Sequence, residues 1–396
     1  MAKTMTSRQR LLAAIRHEEP DRVPVVPRHH AYCMARYGDH LLENQLRMIQ
    51  EFGWDYYIVI PSLTDALWPN YAWNLQLEDV SPLERAGVKL DLRKEEEKDR
   101  WLVQRSFHTP AGTLKDRVVF PKPGCGYGIR PNAHFLEHLV KDREDLERVR
   151  YLLLDPQKYT DFETLRKAKK LVGNRGLVMA YTNSPLDNKA GCVFGSENLM
   201  MSYYDDRTFC RELLEMFHHH CQRETQALLE QGVDGIHTTW YWSSISGGWS
   251  PAMIDELFLP LAREHIDLVH RYDGIYYYYD DGKVMELAER LKELRVDILG
   301  TCAPPPMGDV DLGSLKGRIG DSVCLHGNTD IIYVLMKGTP RLVEQSVEES
   351  MRAAAPGSGF IMGTSDSIRE GTPEQNIRSW TEAAKRYGVY PVEGAD

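Results

Sequence analysis

No two cysteines stand in C-x-x-C spacing, and the seven present (Cys33, Cys125, Cys192, Cys210, Cys221, Cys302 and Cys324) are scattered and odd in number. This pattern excludes a paired-thiol metal ribbon and a disulfide framework, so the thiols are expected to be reduced and mostly buried. No window approaches the ~18 consecutive apolar residues of a membrane span, and residues 1–16 lack the apolar core of a signal peptide. A cytoplasmic protein with no membrane partner is the expectation. There is no basic stripe: the formal net charge is -10, and the longest charge run, R-K-E-E-E-K-D-R at 93–100, mixes both signs. No nucleic-acid partner is expected. What is there suits a soluble globular chain, with 42% hydrophobic and 27% charged residues, enough to bury a large core.

The chain alternates. Thr6 and Gln9 form a capping-box pattern ahead of an apolar helical face at Leu11, Leu12 and Ile15. Short apolar or β-branched runs follow at 22–26, 55–60, 176–181, 234–239, 275–280, 296–301, 323–328 and 359–364, most of them separated by helical patterns such as Val343, Val347 and Met351. Strand and helix in alternation imply parallel strands with crossover helices, and about eight strands close a (β/α)8 barrel. An open doubly wound sheet is the alternative, but neither G-x-G-x-x-G nor G-x-x-x-x-G-K-[ST] follows any of these runs. The stretch 100–120 breaks the pattern with two strand-like runs around T-P-A-G. The expectation is one barrel domain over 1–396, with a helical N-terminal extension (1–21) and a β-hairpin inserted at 100–120.

In a parallel barrel the βα loops gather polar groups at the C-terminal strand ends. Those ends supply Arg28, His29 and His30; Ser62, Thr64 and Asp65; Thr182 and Asn183; His237 and Tyr241; Tyr279, Asp280 and Asp281; Cys302; His326 and Asn328; Ser365 and Asp366. The run G-I-Y-Y-Y-Y-D-D-G at 274–282 ends on adjacent carboxylates. Alternation along a strand places Tyr279 and Asp281 on one face and Asp280 on the other. A capping role for one aspartate at a helix starting near Lys283 is the structural alternative. For His237, a core histidine bonded to backbone stands beside a ligand role. The consecutive His218, His219 and His220 lie within a helix, where neighbours cannot converge on one ion, so a solvated helix face is expected there.

Several segments together resemble the uroporphyrinogen decarboxylase superfamily, which contains the decarboxylase and the corrinoid-linked methyltransferases. They are R-Q-R-L-L-A-A-I-R-H-E-E-P-D-R-V-P-V near the start, W-S-P at 249–251, P-P-P-M-G-D-V-D-L at 304–312, C-L-H-G-N-T-D at 324–330 and the closing A-P-G-S-G-F-I-M-G-T-S-D-S-I-R-E-G-T-P-E-Q-N-I. The resemblance implies a (β/α)8 barrel. The thiol-activating methyltransferases carry H-x-C-G and a later Cys as zinc ligands, where this chain has Tyr279, Asp280, Asp281, Gly282 and, later, Asp366. Oxygen donors in place of thiolates disfavour thiol activation. Of the decarboxylase's R-Q-A-G-R only Arg28 has a match, so a substrate with many carboxylates finds few partners.

The resemblance therefore implies a methyltransferase that moves a methyl group from a small methoxylated, aromatic substrate to the Co(I) corrinoid of a separate corrinoid-binding protein, since D-x-H-x-x-G is absent. Asp281, Tyr279, Asp366 and His326 are the catalytic candidates, and Arg28, His237, Tyr241 and Asn328 the substrate-binding ones. His326, Asp281 and Asp366 are the candidate ligands should a divalent metal such as zinc bind, although no complete zinc motif is present. The alternatives are a cofactor-free decarboxylase or lyase using Arg28 with Asp281 or His326, and a barrel that binds without chemistry. Barrels of this size often dimerise, so a homodimer stays open.

Overall fold

Short runs rich in Ile, Val, Tyr and Thr make the strands, as their β-branched and aromatic side chains suit a pleated surface. In the computed structural model, which describes residues 4–61, 81–125, 128, 132–160 and 162–394, the strands are β1 (Tyr57–Ile60), β2 (Lys89–Glu96), β3 (Arg100–Thr109), β4 (Gly112–Pro121), β5 (His134–Glu137), β6 (Leu177–Asn183), β7 (Gly235–Thr239), β8 (Ile275–Asp280), β9 (Ile298–Thr301), β10 (Cys324–Thr329) and β11 (Phe360–Thr364). The described residues fall into two compact units, one from 1–60, 163–181 and 232–396, the other from 61–162 and 182–231. No helix among them is long and apolar enough to cross a membrane.

The first unit carries a seven-stranded parallel sheet in the order β1-β6-β7-β8-β9-β10-β11. It is an α/β fold of the TIM-barrel type. Register is set by pairs such as Tyr57 with Leu177, Tyr277 with Ile298, and Cys324 with Ile298. Inward-facing residues Tyr57, Met179, Tyr277, Ile298, Cys324 and Ile361 form one apolar cluster. Helix α1 (Ser7–Ile15) adds Leu11 and Ala14 to it. Its start is fixed by the capping box: Gln9 N–H donates to Thr6 Oγ1 at 3.2 Å and Thr6 N–H to Gln9 Oε1 at 3.0 Å.

The stretch 22–26, expected as an eighth strand, is not a regular one. Val26 N–H donates to Met362 O and Met362 N–H to Pro24 O, both at 2.8 Å, while Asp55 N–H donates to Val25 O at 2.9 Å. The segment thus bonds β11 on one side and the residues leading into β1 on the other. Pro24 and Pro27 lack the N–H groups that a continuous ladder needs. Beneath it, Asp55 accepts from Arg10 at 2.5 Å and from Arg22 and Val25 N–H at 2.8 Å.

The second unit carries an antiparallel sheet in the order β2-β3-β4-β5. β3 and β4 form a hairpin with Thr109 opposite Gly112, and Arg105 and Asp116 pair across it as a buried ion pair. Val103, Val118 and Phe120 make its apolar face. Helix α2 (Arg207–Glu230) buries His218 and His220 and leaves His219 exposed. This corrects the expectation of a solvated histidine face: α2 packs against several elements of its unit, so more than one of its sides is covered.

Candidate functional site

Alternation along β8 sorts the four tyrosines. Tyr276 and Tyr278 point outward, where the Tyr276 hydroxyl receives Trp240 Nε1–H at 3.0 Å and Tyr278 stacks on Trp240 at 5.7 Å. Tyr277 and Tyr279 belong to the inner cluster.

At the strand's end Tyr279 Oη–H donates to Asp281 Oδ2 at 2.8 Å and lies 3.3 Å from Asp366 Oδ1. Arg28 Nη1 sits 3.0 Å from that same Asp366 oxygen, with its guanidinium 4.2 Å from the Tyr279 ring centroid. Arg369 holds the other Asp366 oxygen at 2.9 Å. Burial first, then the charge of Asp366, pushes the Asp281 carboxyl above its ordinary range, against the pull of Arg28 and Tyr279. Burial also pushes Tyr279 well up, so it is a neutral phenol. Around Arg28 burial works against the charge, but Tyr279, Asp366 and Asp281 outweigh it and its pKa is raised. Asp280 turns away: its Oδ1 accepts Gly282 N–H at 2.8 Å and shapes the turn. Neither aspartate caps the following helix, because Asp309 Oδ1 receives Val284 N–H at 2.8 Å and Met285 N–H at 3.2 Å.

Deeper in, Tyr277 Oη lies 2.8 Å from His326 Nδ1, and His326 Nε2 lies 2.7 Å from Val26 O. A carbonyl can only accept, so Nε2 carries the hydrogen and Nδ1 accepts from Tyr277. Burial lowers the His326 pKa to about 4, leaving it neutral. His237 stacks on Tyr277 at 4.1 Å, and burial, then Arg28, holds its pKa far down. Two glycines make room for this pair. A Cβ on Gly300 would lie 1.7 Å from Tyr277 Oη, and one on Gly363 would lie 2.4 Å from His326 Nε2. Beside them is a cavity of about 50 Å³ lined by Arg28, His29, Tyr57, Tyr181, His237 and Tyr277, among others.

Of the expected residues, Arg28, Tyr279, Asp281 and Asp366 come together, and Arg28, His237 and His326 line the cavity. Tyr241 opens the turn Tyr241–Ser243 after β7 and is not among the cavity's lining residues. Asn328 accepts from Ser350 Oγ at 3.0 Å, on helix α3 (Pro340–Ala354), and so faces that helix. Ser62, Thr64 and Asp65 lie outside the described residues. Cys302 is buried, and burial pushes its thiol up to about 12. Of the lining residues His29 was among the strand-end candidates, and Tyr57 was not. A tyrosine in the run D-Y-Y-I-V-I is the one signal that a polar group enters this part of the core.

The metal candidates do not fit a metal centre. Both His326 nitrogens are engaged, Asp366 is held by two arginines, and no three metal-ligating side chains converge among the described residues.

The sequence family described as uroporphyrinogen decarboxylase (URO-D) matches residues 117–387. The chain belongs to the URO-D family. A uroporphyrinogen decarboxylase from Prochlorococcus marinus is 27% identical over 292 residues, covering 71% of this chain and 79% of that protein. One from Crocosphaera subtropica is 23% identical over 291 residues, with 71% and 79% covered. A solved structure described as a methyltransferase from Methanosarcina mazei superimposes with a TM-score of 0.62 at 14% identity, covering 97% of this chain and 99% of that one. At that identity the likeness is one of fold. URO-D family membership makes this chain a member of an enzyme family.

Proposed function

We propose that this URO-D family member transfers a methyl group from a small methoxylated aromatic substrate to the Co(I) corrinoid of a separate corrinoid protein. The observation that supports this most is the cluster of Tyr279, Asp281 and Asp366, in which burial raises the Asp281 carboxyl and which Arg28 joins to an aromatic-walled cavity. When an aryl methyl ether breaks, the C–O electron pair stays on oxygen, and a proton donor at that oxygen lowers the barrier. Asp281 delivers that proton, and Tyr279 fixes its orientation through the 2.8 Å hydrogen bond. Asp366 is tied to Arg28 and Arg369, and its charge disfavours loss of the Asp281 proton. The Co(I) corrinoid of the partner protein would supply the nucleophile that accepts the methyl group. The test mixes the protein anaerobically with Co(I) corrinoid and a panel of aryl methyl ethers. Ether-dependent loss of the Co(I) absorbance that disappears in Asp281→Ala is the expected result, and no loss with any ether refutes it.

A second reading has its own support in the URO-D relatives, whose names are those of decarboxylases. Arg28 would bind a carboxylate, the C–C bond would break to release CO2, and Asp281 would protonate the carbon left behind. CO2 release from small aromatic acids without any cobalt protein distinguishes it.

A further inference from the structure

Three residues that line the same cavity each carry a buried polar atom with no hydrogen-bond partner among the described residues: His29 Nε2, His237 Nδ1 and Tyr57 Oη. Their residues are 6%, 5% and 7% exposed. Buried polar groups are nearly always paired, so three unpaired ones around one space mark a place built for a ligand atom. The polarity of that atom can be read. His29 Nδ1 is 3.1 Å from Pro27 O, which can only accept, so the hydrogen sits on Nδ1 and Nε2 presents a bare lone pair. A ligand must therefore donate to His29. Tyr57 is a phenol that both donates and accepts, since burial pushes its pKa well up. An ammonium donor is disfavoured because the Arg28 cation lines the same space. An oxyanion has no hydrogen to give. A neutral hydroxyl satisfies both requirements.

We infer that this cavity is the recognition subsite for an un-ionised hydroxyl group on an aromatic substrate, which donates to His29 Nε2, accepts from Tyr57 Oη–H and meets His237 Nδ1. The aromatic ring rests on the function proposed above; the hydroxyl selectivity rests on the cavity alone. The ring stays outside the small polar space and only the hydroxyl enters it. Sites that hydrogen-bond a hydroxyl reject analogues lacking it strongly, because the site's own polar groups are then left unpaired.

The probe pair is phenol and toluene, which differ by hydroxyl against methyl, titrated calorimetrically into the full chain. Phenol is expected to bind at least tenfold more tightly than toluene. That preference should shrink at least tenfold in Tyr57→Phe and in His29→Phe, with folding checked by circular dichroism. Equal binding of the two probes, or a preference unchanged in both variants, overturns the inference and assigns the cavity to water alone. Neither probe has a methoxy group and no cobalt is present. Ether demethylation without hydroxyl selectivity therefore refutes the subsite only, and hydroxyl selectivity without demethylation of any ether refutes the methyltransferase only.

Discussion

Two tyrosines in one core, Tyr277 and Tyr57, should respond oppositely to loss of the hydroxyl. Both are buried and their rings lie 6.3 Å apart. Tyr277→Phe removes the donor 2.8 Å from His326 Nδ1 and strands that nitrogen in the barrel. An acceptor left unpaired in a buried place costs about 1–3 kcal/mol. Tyr57→Phe removes a hydroxyl that has no protein partner, so no group is stranded and the cost should lie within about 0.5 kcal/mol of zero. The measurement is urea unfolding of the ligand-free protein, followed by circular dichroism. A difference of about 2 kcal/mol corresponds to roughly 1 M in urea midpoint. Equal midpoints would refute the assignment of the Tyr277–His326 pair as a structural bond. A larger loss in Tyr57→Phe than in Tyr277→Phe would refute the view that Tyr57 is kept for a ligand.

Asp281→Asn should lower turnover about 10²–10⁴-fold in the ether assay. Because the protonated form acts, the rate should fall as pH rises through the Asp281 pKa; Asp366→Asn should move that limb to lower pH and Arg28→Met to higher pH, read from rate profiles. His29, His220 and His326 are held near pKa 4 by burial, below the unfolded value of 6.5, so the unfolded chain binds more protons between those values. Stability present above pH 6.5 should drain away as pH falls towards 4, by about 2 kcal/mol per histidine at pH 5, and a flat urea midpoint from pH 7 to 5 would contradict this. Gly300→Ala drives a methyl into Tyr277 Oη and should cost about 1–3 kcal/mol by the same unfolding assay. In the second unit Glu224→Gln removes the carboxylate 3.4 Å from the fully buried Lys189, and a loss of about 3–5 kcal/mol is expected.

The parallel sheet was legible because each of its strands is a short apolar run between helical patterns, as at Gly235–Thr239 and Phe360–Thr364, whose five residues are all buried. The outer strand β2 was not, because K-L-D-L-R-K-E-E is charged and mostly exposed on both faces, and its apolar alternation ends after Leu90 and Leu92. Such charge is common on sheet edges, where it discourages pairing with another chain. Within the site, strand alternation was enough to put Tyr279 beside Asp281. It could not show that both His326 nitrogens are spent on Tyr277 and Val26, since those bonds join residues 49 and 300 positions apart. Nor could it show His29, Tyr57 and His237 around one space, which depends on three separate segments meeting. Asn328 was misplaced because its Ser350 partner lies on a helix whose facing residues a single sequence does not reveal.

The proline-bearing segment 22–28 links these observations. A regular eighth strand would have paired along its whole length, and its side chains would have alternated in and out like those of β8. Here separate backbone bonds hold the segment to Gly388, Met362, Asp55 and Ile368, and Asp55 anchors it further through Arg22 and Val25 N–H. Past those anchors Pro27 leads directly to Arg28, which reaches Asp366, and to His29, whose Nδ1 is turned back onto the Pro27 carbonyl. One short irregular stretch therefore bonds to β11 and to the approach to β1, delivers the cation that pairs with Asp366, and fixes which nitrogen of His29 is left as a bare lone pair. Arg28 also lowers the proton affinity of His29, His237 and His326. The same cation thus favours bare lone pairs in the cavity while the Asp366 carboxylate it holds helps keep the Asp281 proton in place. The neutral histidines of the cavity owe part of their state to Arg28, whereas the raised Asp281 carboxyl owes its state to burial and to Asp366, against the direct pull of that same arginine.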